Sequence, residues 1–276
     1  MPRAIDCLVN VDFADRPMPE FMKRVKEDYF KAGESFFASP ELDQLVDDMD
    51  GHGVEKAILI VRVDDTEGRA LRFVEARPDR FALGVGGFNL LRPMATLRKL
   101  QAFVENHPVA YASVGPSFWG DGMYPPTDAV YYPLYTKCCE LDLPLCVNTG
   151  IPGPPLPAEP QNPIHIDRVC LRFPELRLSM IHGADPWWDV AIRLMIKYPN
   201  LRLMTSAWSP KYLPESLLHY MRTRGKDRIM FATDHPVLSF ERCLGEAAAL
   251  DLPDEVRQAW LYDNANAFFF GGADGR

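Results

Sequence analysis

The sequence predicts an α/β chain folded as one eight-stranded (β/α)8 barrel of the TIM type, and three observations carry that expectation. Short aliphatic or β-branched runs recur eight times along the 276 residues. Each is followed by a longer amphipathic stretch, the alternation of βα units around a parallel sheet. The length also suits a barrel of about 250 residues better than an open doubly wound sheet, which usually has fewer strands. No Gly-rich phosphate fingerprint follows the first run, and no linker or repeat interrupts the series, so residues 1–276 read as a single domain.

The strands are expected over Ala4–Val11, Lys56–Val61, Phe81–Gly87, Ala110–Val114, Leu143–Thr149, Arg177–His182, Leu201–Ser206 and Arg228–Thr233. Between and after them, helices are expected over Pro40–Met49, Thr66–Ala76, Pro93–Asn106, Asp128–Leu141, Pro163–Phe173, Trp187–Lys197, Leu213–Thr223 and Ser239–Leu250. Several open on a helix-start residue such as Asp128 or Ser239, and several stop just before a Pro or Gly. The 25 prolines are about twice the usual share of roughly 5%, and many cluster where strands hand over to helices, which predicts stiff, exposed loops there.

Two connections are too long for simple connectors. Residues 12–39, with a helix expected around Pro19–Phe30, form a lid-like insertion, and residues 115–127 form a second long loop. Both leave the carboxyl ends of strands, the face where a parallel barrel holds its site, and both carry large aromatics: Phe36, Phe37, Phe118, Trp119 and Tyr124. These rings either line a pocket or pack the loops onto the barrel rim.

A formal charge of −8 argues against a nucleic-acid or anionic-membrane surface and leaves a small molecule or a protein as partner. No run is long and apolar enough to span a bilayer, and the charges at Arg3, Asp6 and Asp12 break any signal-peptide centre. A cytoplasmic location follows as the expectation. The six cysteines form no C-x-x-C pair and are too sparse for a disulfide framework, so all six are read as reduced. The aromatic-rich loops make a homodimer reasonable.

The strand ends then point to a family. Ile5-Asp6 in the first strand, Pro144 to Gly150 (PLCVNTG) at the fifth, Ile181-His182-Gly183 at the sixth and Phe231 to Pro236 (FATDHP) at the eighth resemble the amidohydrolase superfamily. The nearest branch is the amidohydrolase-2 group, which contains hydrolases together with related non-oxidative decarboxylases and hydratases. Phe173-Pro174-Glu175-Leu176, Pro186-Trp187-Trp188 and Asn264-Ala265 add to the likeness, which covers nearly the whole chain.

The resemblance also implies a metal set from which this chain departs. Members usually carry His-x-His on the first strand, a His on the fifth and sixth, and an Asp on the eighth, holding one or two divalent ions. Here the first pair is Leu8 and Asn10, and the fifth-strand position is Asn148; only His182 and Asp234 remain. A catalytic zinc needs three protein ligands and an open position, so the sequence reading expects no cofactor and no metal ligands. A single divalent ion at His182 and Asp234 is the less favoured alternative.

Alternation along the strands would bring Asn10, Asn148, His182 and Asp234 together at the barrel mouth. Asp234 is the expected general base, with His182 orienting water, protonating a leaving group or stabilising an oxyanion; the two amides offer neutral hydrogen bonds. The structural alternative for Asp234 is a cap on the next helix. Arg62, Trp187, Trp119 and Ser206 are expected around the substrate, although Arg62 could instead pair with Asp64, Asp65 or Glu67. The leading reading is a metal-independent hydrolase of a small ester, lactone or amide. The alternatives are a decarboxylase or hydratase acting on an aromatic or unsaturated carboxylic acid, and a catalytically silent binding protein.

Overall fold

The computed structural model describes residues 3–14, 20–31, 33–118 and 124–271. Eight parallel strands lie side by side in chain order: β1 Ala4–Val9, β2 Val54–Arg62, β3 Phe81–Gly86, β4 Val109–Val114, β5 Leu145–Asn148, β6 Leu178–Ile181, β7 Leu201–Met204 and β8 Ile229–Met230. All eight fall inside or across the expected runs. The ring closes past the short β8, where the amide N–H groups of Cys7 and Asn10 donate to the carbonyls of Phe231 and His235 at 3.1 and 2.8 Å, and that of Asp234 to Leu8 at 3.1 Å. Closure leaves no sheet edge to pair with another chain.

Inside the barrel, Ile5, Cys7, Leu8, Ile58, Tyr111 and Cys146 belong to one buried cluster. Tyr111 crosses the lumen and donates its hydroxyl to the Cys7 carbonyl at 2.8 Å. Its in-register neighbour on β3 is Gly84, where a Cβ would lie 2.5 Å from the ring, so only glycine admits that side chain. The outer core forms between the strands and the helices.

The helices are α1 Glu20–Arg24, α2 Leu42–His52, α3 Arg69–Ala76, α4 Pro93–Asn106, α5 Tyr132–Glu140, α6 Ile164–Arg172, α7 Trp188–Lys197, α8 Glu215–Thr223 and α9 Phe240–Ala249. Helix α1 passes at Val25–Tyr29 into a π-helical turn, so helical structure does form within the expected Pro19–Phe30 stretch. Beyond α9, where no helix was expected, α10 Asp254–Gln258 and the helical turns Ala259–Asp263 and Asn266–Phe270 follow. They bury Trp260 fully, and Asn264 donates to the carbonyls of Lys226 and Ile229, both at 2.8 Å. This segment packs Tyr262, Ala265 and Phe268 onto the barrel-interior cluster. All six cysteines are free thiols, five of them buried. Among the described residues no helix is long and apolar enough to cross a membrane.

Candidate active site

A cavity of about 460 Å³ opens where the strands end, lined by Asn10, Asn148, His182 and Asp234 from β1, β5, β6 and β8 or the residues just after them. The four polar residues expected to converge therefore do so. Leu8 also faces this space. Most of the remaining wall is apolar: Phe13, Met22, Val25, Phe30 and Phe36 from the long first connection, Ile60, Phe118, Ile151, Ile181 and Trp208 from the rest. Among the described residues no Arg or Lys lines it.

Backbone geometry at the strand ends is unusual in a specific way. His182, Ala207 and Asp234 have φ of 66°, 61° and 63°, the left-handed region that non-glycine residues rarely occupy. Such strain persists only where surrounding contacts over-determine it, and it concentrates at functional sites. At His182 the contacts are plain. The Ser206 hydroxyl oxygen accepts the His182 backbone N–H at 3.0 Å and also meets ring Nδ1 at 3.0 Å, while Trp208 donates its indole N–H to the His182 carbonyl at 2.9 Å. Gly183, at φ 64°, has no room for a Cβ, which would lie 2.2 Å from the ring of Trp188.

Asp234 is held from two sides. Its Oδ1 accepts the Asn10 side-chain N–H at 2.9 Å, and its backbone is fixed by the bond to Leu8. The helix-cap alternative does not hold, because Ser239 caps α9 by accepting the Arg242 N–H. Burial pushes the Asp234 carboxyl up to about 7; the Asn10 bond opposes that rise, and the charge of Asp6 adds to it. Burial also pushes the His182 imidazole down to about 4, so it is neutral at physiological pH. Asp6, fully buried behind the site, accepts from the Leu8 N–H and from the N–H and hydroxyl of Thr233, and burial raises it to about 7 as well.

Three expected residues sit elsewhere. Arg62 does not line the cavity: Asp64, two residues on, accepts its Nε–H at 3.1 Å, and its guanidinium lies against Gly87. Trp187 stands at the start of α7 and does not line the cavity either; the helix turns Trp188 inward, edge-on to Trp208 at 5.4 Å. Ser206 is fully buried, so it touches His182 rather than a substrate. Trp119 lies outside the described residues. Sequence reasoning missed Gln161 and Asp185, which do line the cavity. The one signal for Gln161 was its place at the end of the proline-rich stretch after β5.

The Amidohydrolase family profile matches residues 62–271, and the chain belongs to that family. No curated protein matches. An uncharacterised TIM-barrel protein from Bordetella bronchiseptica superposes with a TM-score of 0.79 at 20% identity, over 96% of this chain and 98% of that one. A dihydroxybenzoic acid decarboxylase from Polaromonas sp., solved with bound manganese and the inhibitor 2-nitroresorcinol, gives 0.70 at 18%, over 100% and 99%. A probable 2-pyrone-4,6-dicarboxylic acid hydrolase from Acinetobacter baumannii, solved with citric acid, gives 0.67 at 10%, over 97% and 99%. At these identities the likeness is one of fold.

The expectation of no cofactor is corrected by these neighbours, since manganese is bound in a decarboxylase of the same fold; a divalent metal is what the comparison points to. The donors in this chain's cavity are His182, Asp234 and the amide oxygens of Asn10 and Asn148. Among the described residues no three His, Cys, Asp or Glu are grouped to hold an ion. They do not compose the ligand set of a resident zinc or binuclear centre, and no step below is routed through a metal.

Proposed function

We propose that this chain hydrolyses a small, neutral, largely apolar ester, lactone or amide. The observation that carries the reading is a buried carboxyl, Asp234, titrating at about 7 on the wall of an apolar cavity to which no described cation contributes. A carboxyl near 7 is matched to proton transfer at neutral pH. A site kept only for binding has no need of one.

In the reaction, Asp234 takes a proton from water as the oxygen bonds to the acyl carbon, and the carbonyl π-pair moves onto oxygen. The neutral His182 ring bonds Ser206 through Nδ1; with the serine proton placed on Nδ1, Nε2 carries the ring proton and donates to the developing oxyanion beside the Asn148 amide. Collapse of that intermediate breaks the bond to the leaving oxygen or nitrogen, which receives the proton held by Asp234. Asn10 keeps Oδ1 of Asp234 in place throughout. The first long connection acts as lid: Phe30 and Phe36 pack 5.2 Å apart and supply apolar contact to the substrate. Free thiols throughout suit a cytoplasmic setting.

The second reading is a lyase that decarboxylates or hydrates an aromatic or unsaturated acid, favoured by the decarboxylase on the same fold. A substrate carboxylate needs a positive partner. Where manganese is bound, it would supply Lewis-acid polarisation of an oxygen, with His182 and Asp234 as its strongest donors.

Incubation with aryl acetates and with hydroxylated benzoates in ¹⁸O-water, each with and without manganese, decides between them. Label in the released acetate supports hydrolysis; carbon dioxide from the benzoate supports the lyase and refutes the hydrolase.

A further inference from the structure

One buried polar atom on the cavity wall has no role in the chemistry above. Gln161 is 2% exposed and lines the cavity, its main chain exchanging a bond with Gly150, whose N–H donates to the Gln161 carbonyl at 3.0 Å. Its side-chain orientation follows from donor logic. The Nε2 lies 3.0 Å from the Gly150 carbonyl, and a carbonyl can only accept, so nitrogen must face it and oxygen must face away. Among the described residues nothing donates to that Oε1, although it is buried. Nearly all buried polar side-chain atoms in native proteins have a partner, and an unmet one destabilises by about 1–3 kcal/mol, so an unmet acceptor on a cavity wall points to a donor on the ligand.

The residue is held rigidly for that purpose. Gly150, at φ 87°, packs so closely on the neighbouring loop that a Cβ there would lie 3.1 Å from the Asp185 carbonyl oxygen. Gln161 is thus fixed by a backbone with little freedom to withdraw it.

We infer that Gln161 is a specificity-determining residue, whose Oε1 selects, among neutral aromatic ligands, those bearing a hydroxyl or N–H. The inference rests on the apolar-substrate reading and deepens it: the ligand is a flat ring with an acyl group toward Asp234 and a hydrogen-bond donor toward Gln161. A site built to accept such a bond rejects the analogue lacking it, because the acceptor is then left unmet beneath an apolar atom.

The test uses binding, so it does not depend on turnover. Acetophenone presents a carbonyl that cannot be hydrolysed, and 3- and 4-hydroxyacetophenone add the donor at two positions. Titration calorimetry on the full chain is expected to show the better hydroxy isomer binding at least tenfold tighter than acetophenone, and Gln161→Met is expected to erase that preference while acetophenone itself binds as before. Equal wild-type affinity for all three overturns the inference and leaves the apolar-substrate reading standing. Failure of all three to bind overturns both. A preference that survives in a folded Gln161→Met protein also overturns it, and if that variant does not fold, the wild-type comparison alone decides.

Discussion

Replacing Asp234 by Asn is expected to yield a protein that is inactive and more stable, and the two effects have one cause. The carboxyl ordinarily titrates at 3.8 and here, because of burial, at about 7. Between those values the folded chain binds a proton that the unfolded chain does not, so stability falls as pH rises through that window and stays low above it. The gap, at 1.36 kcal/mol per pH unit, caps the effect at about 4 kcal/mol above pH 7. Relaxation around a buried charge reduces this, and a gain of about 1–4 kcal/mol at pH 8 is the working figure. The amide has no charge to bury, still accepts the Asn10 N–H, and is the kind of residue best tolerated at φ 63°. Asp6 titrates in both proteins, so its contribution largely cancels in the difference.

The assay is paired denaturant unfolding at pH 4 and pH 8, with turnover measured on the same preparations. The amide variant is expected to match wild type near pH 4, exceed it at pH 8, and lose 10²- to 10⁴-fold in turnover, as removal of a general base does. Retained turnover refutes the catalytic assignment. An equal stability difference at both pH values refutes the buried-charge argument.

Other outcomes follow from the same geometry. Asn10→Ala removes a hydrogen bond that lowers the Asp234 pKa, so the acidic limb of the pH–rate profile should move above pH 7 and activity at pH 7 should fall. An unmoved limb places the titrating group elsewhere. Phe36→Ala, in the lid, is expected to raise KM about tenfold with kcat little changed, read from steady-state kinetics, because the ring is a wall and not a reactant. Manganese titrated into the purified chain is expected to bind through His182 and Asp234, so that His182→Asn or Asp234→Asn weakens binding at least tenfold by calorimetry; unchanged affinity puts the ion at another place.

The barrel was legible because its signals are local and repeated: eight apolar runs and eight amphipathic stretches survive small errors at their ends. The convergence of Asn10, Asn148, His182 and Asp234 was legible for the same reason, since strand order in such a barrel follows chain order and all four stand at strand ends. Arg62 illustrates where that logic stops. Sequence placed it correctly at the end of β2, but its side chain goes to whichever partner is nearer, and Asp64 is two residues away. The helix after β6 shows the same limit, because a rotation of one residue decides which tryptophan turns inward, and only the packing of Trp188 on Trp208 and over Gly183 settles it.

Strand alternation fails at β1 in an informative way. A strict period of two would send Leu8 and Asn10 to one face and Cys7 to the other, yet Cys7 and Leu8 share the interior cluster. The register shifts between Asp6 and Val9, and Asp6 causes it locally by accepting the N–H of Leu8, two residues on, through Oδ1. The same carboxylate takes the N–H and hydroxyl of Thr233, the residue before Asp234. One buried acid therefore ties the irregularity in β1 to the turn that carries Asp234 in its left-handed conformation. A bulge held by a side chain from within the strand leaves no period to read, and Asp6 was seen only as a family landmark. Its position explains why Asn10 arrives within 2.9 Å of Asp234: the bulge that puts Leu8 on the inner face also advances the end of β1 toward the turn after β8.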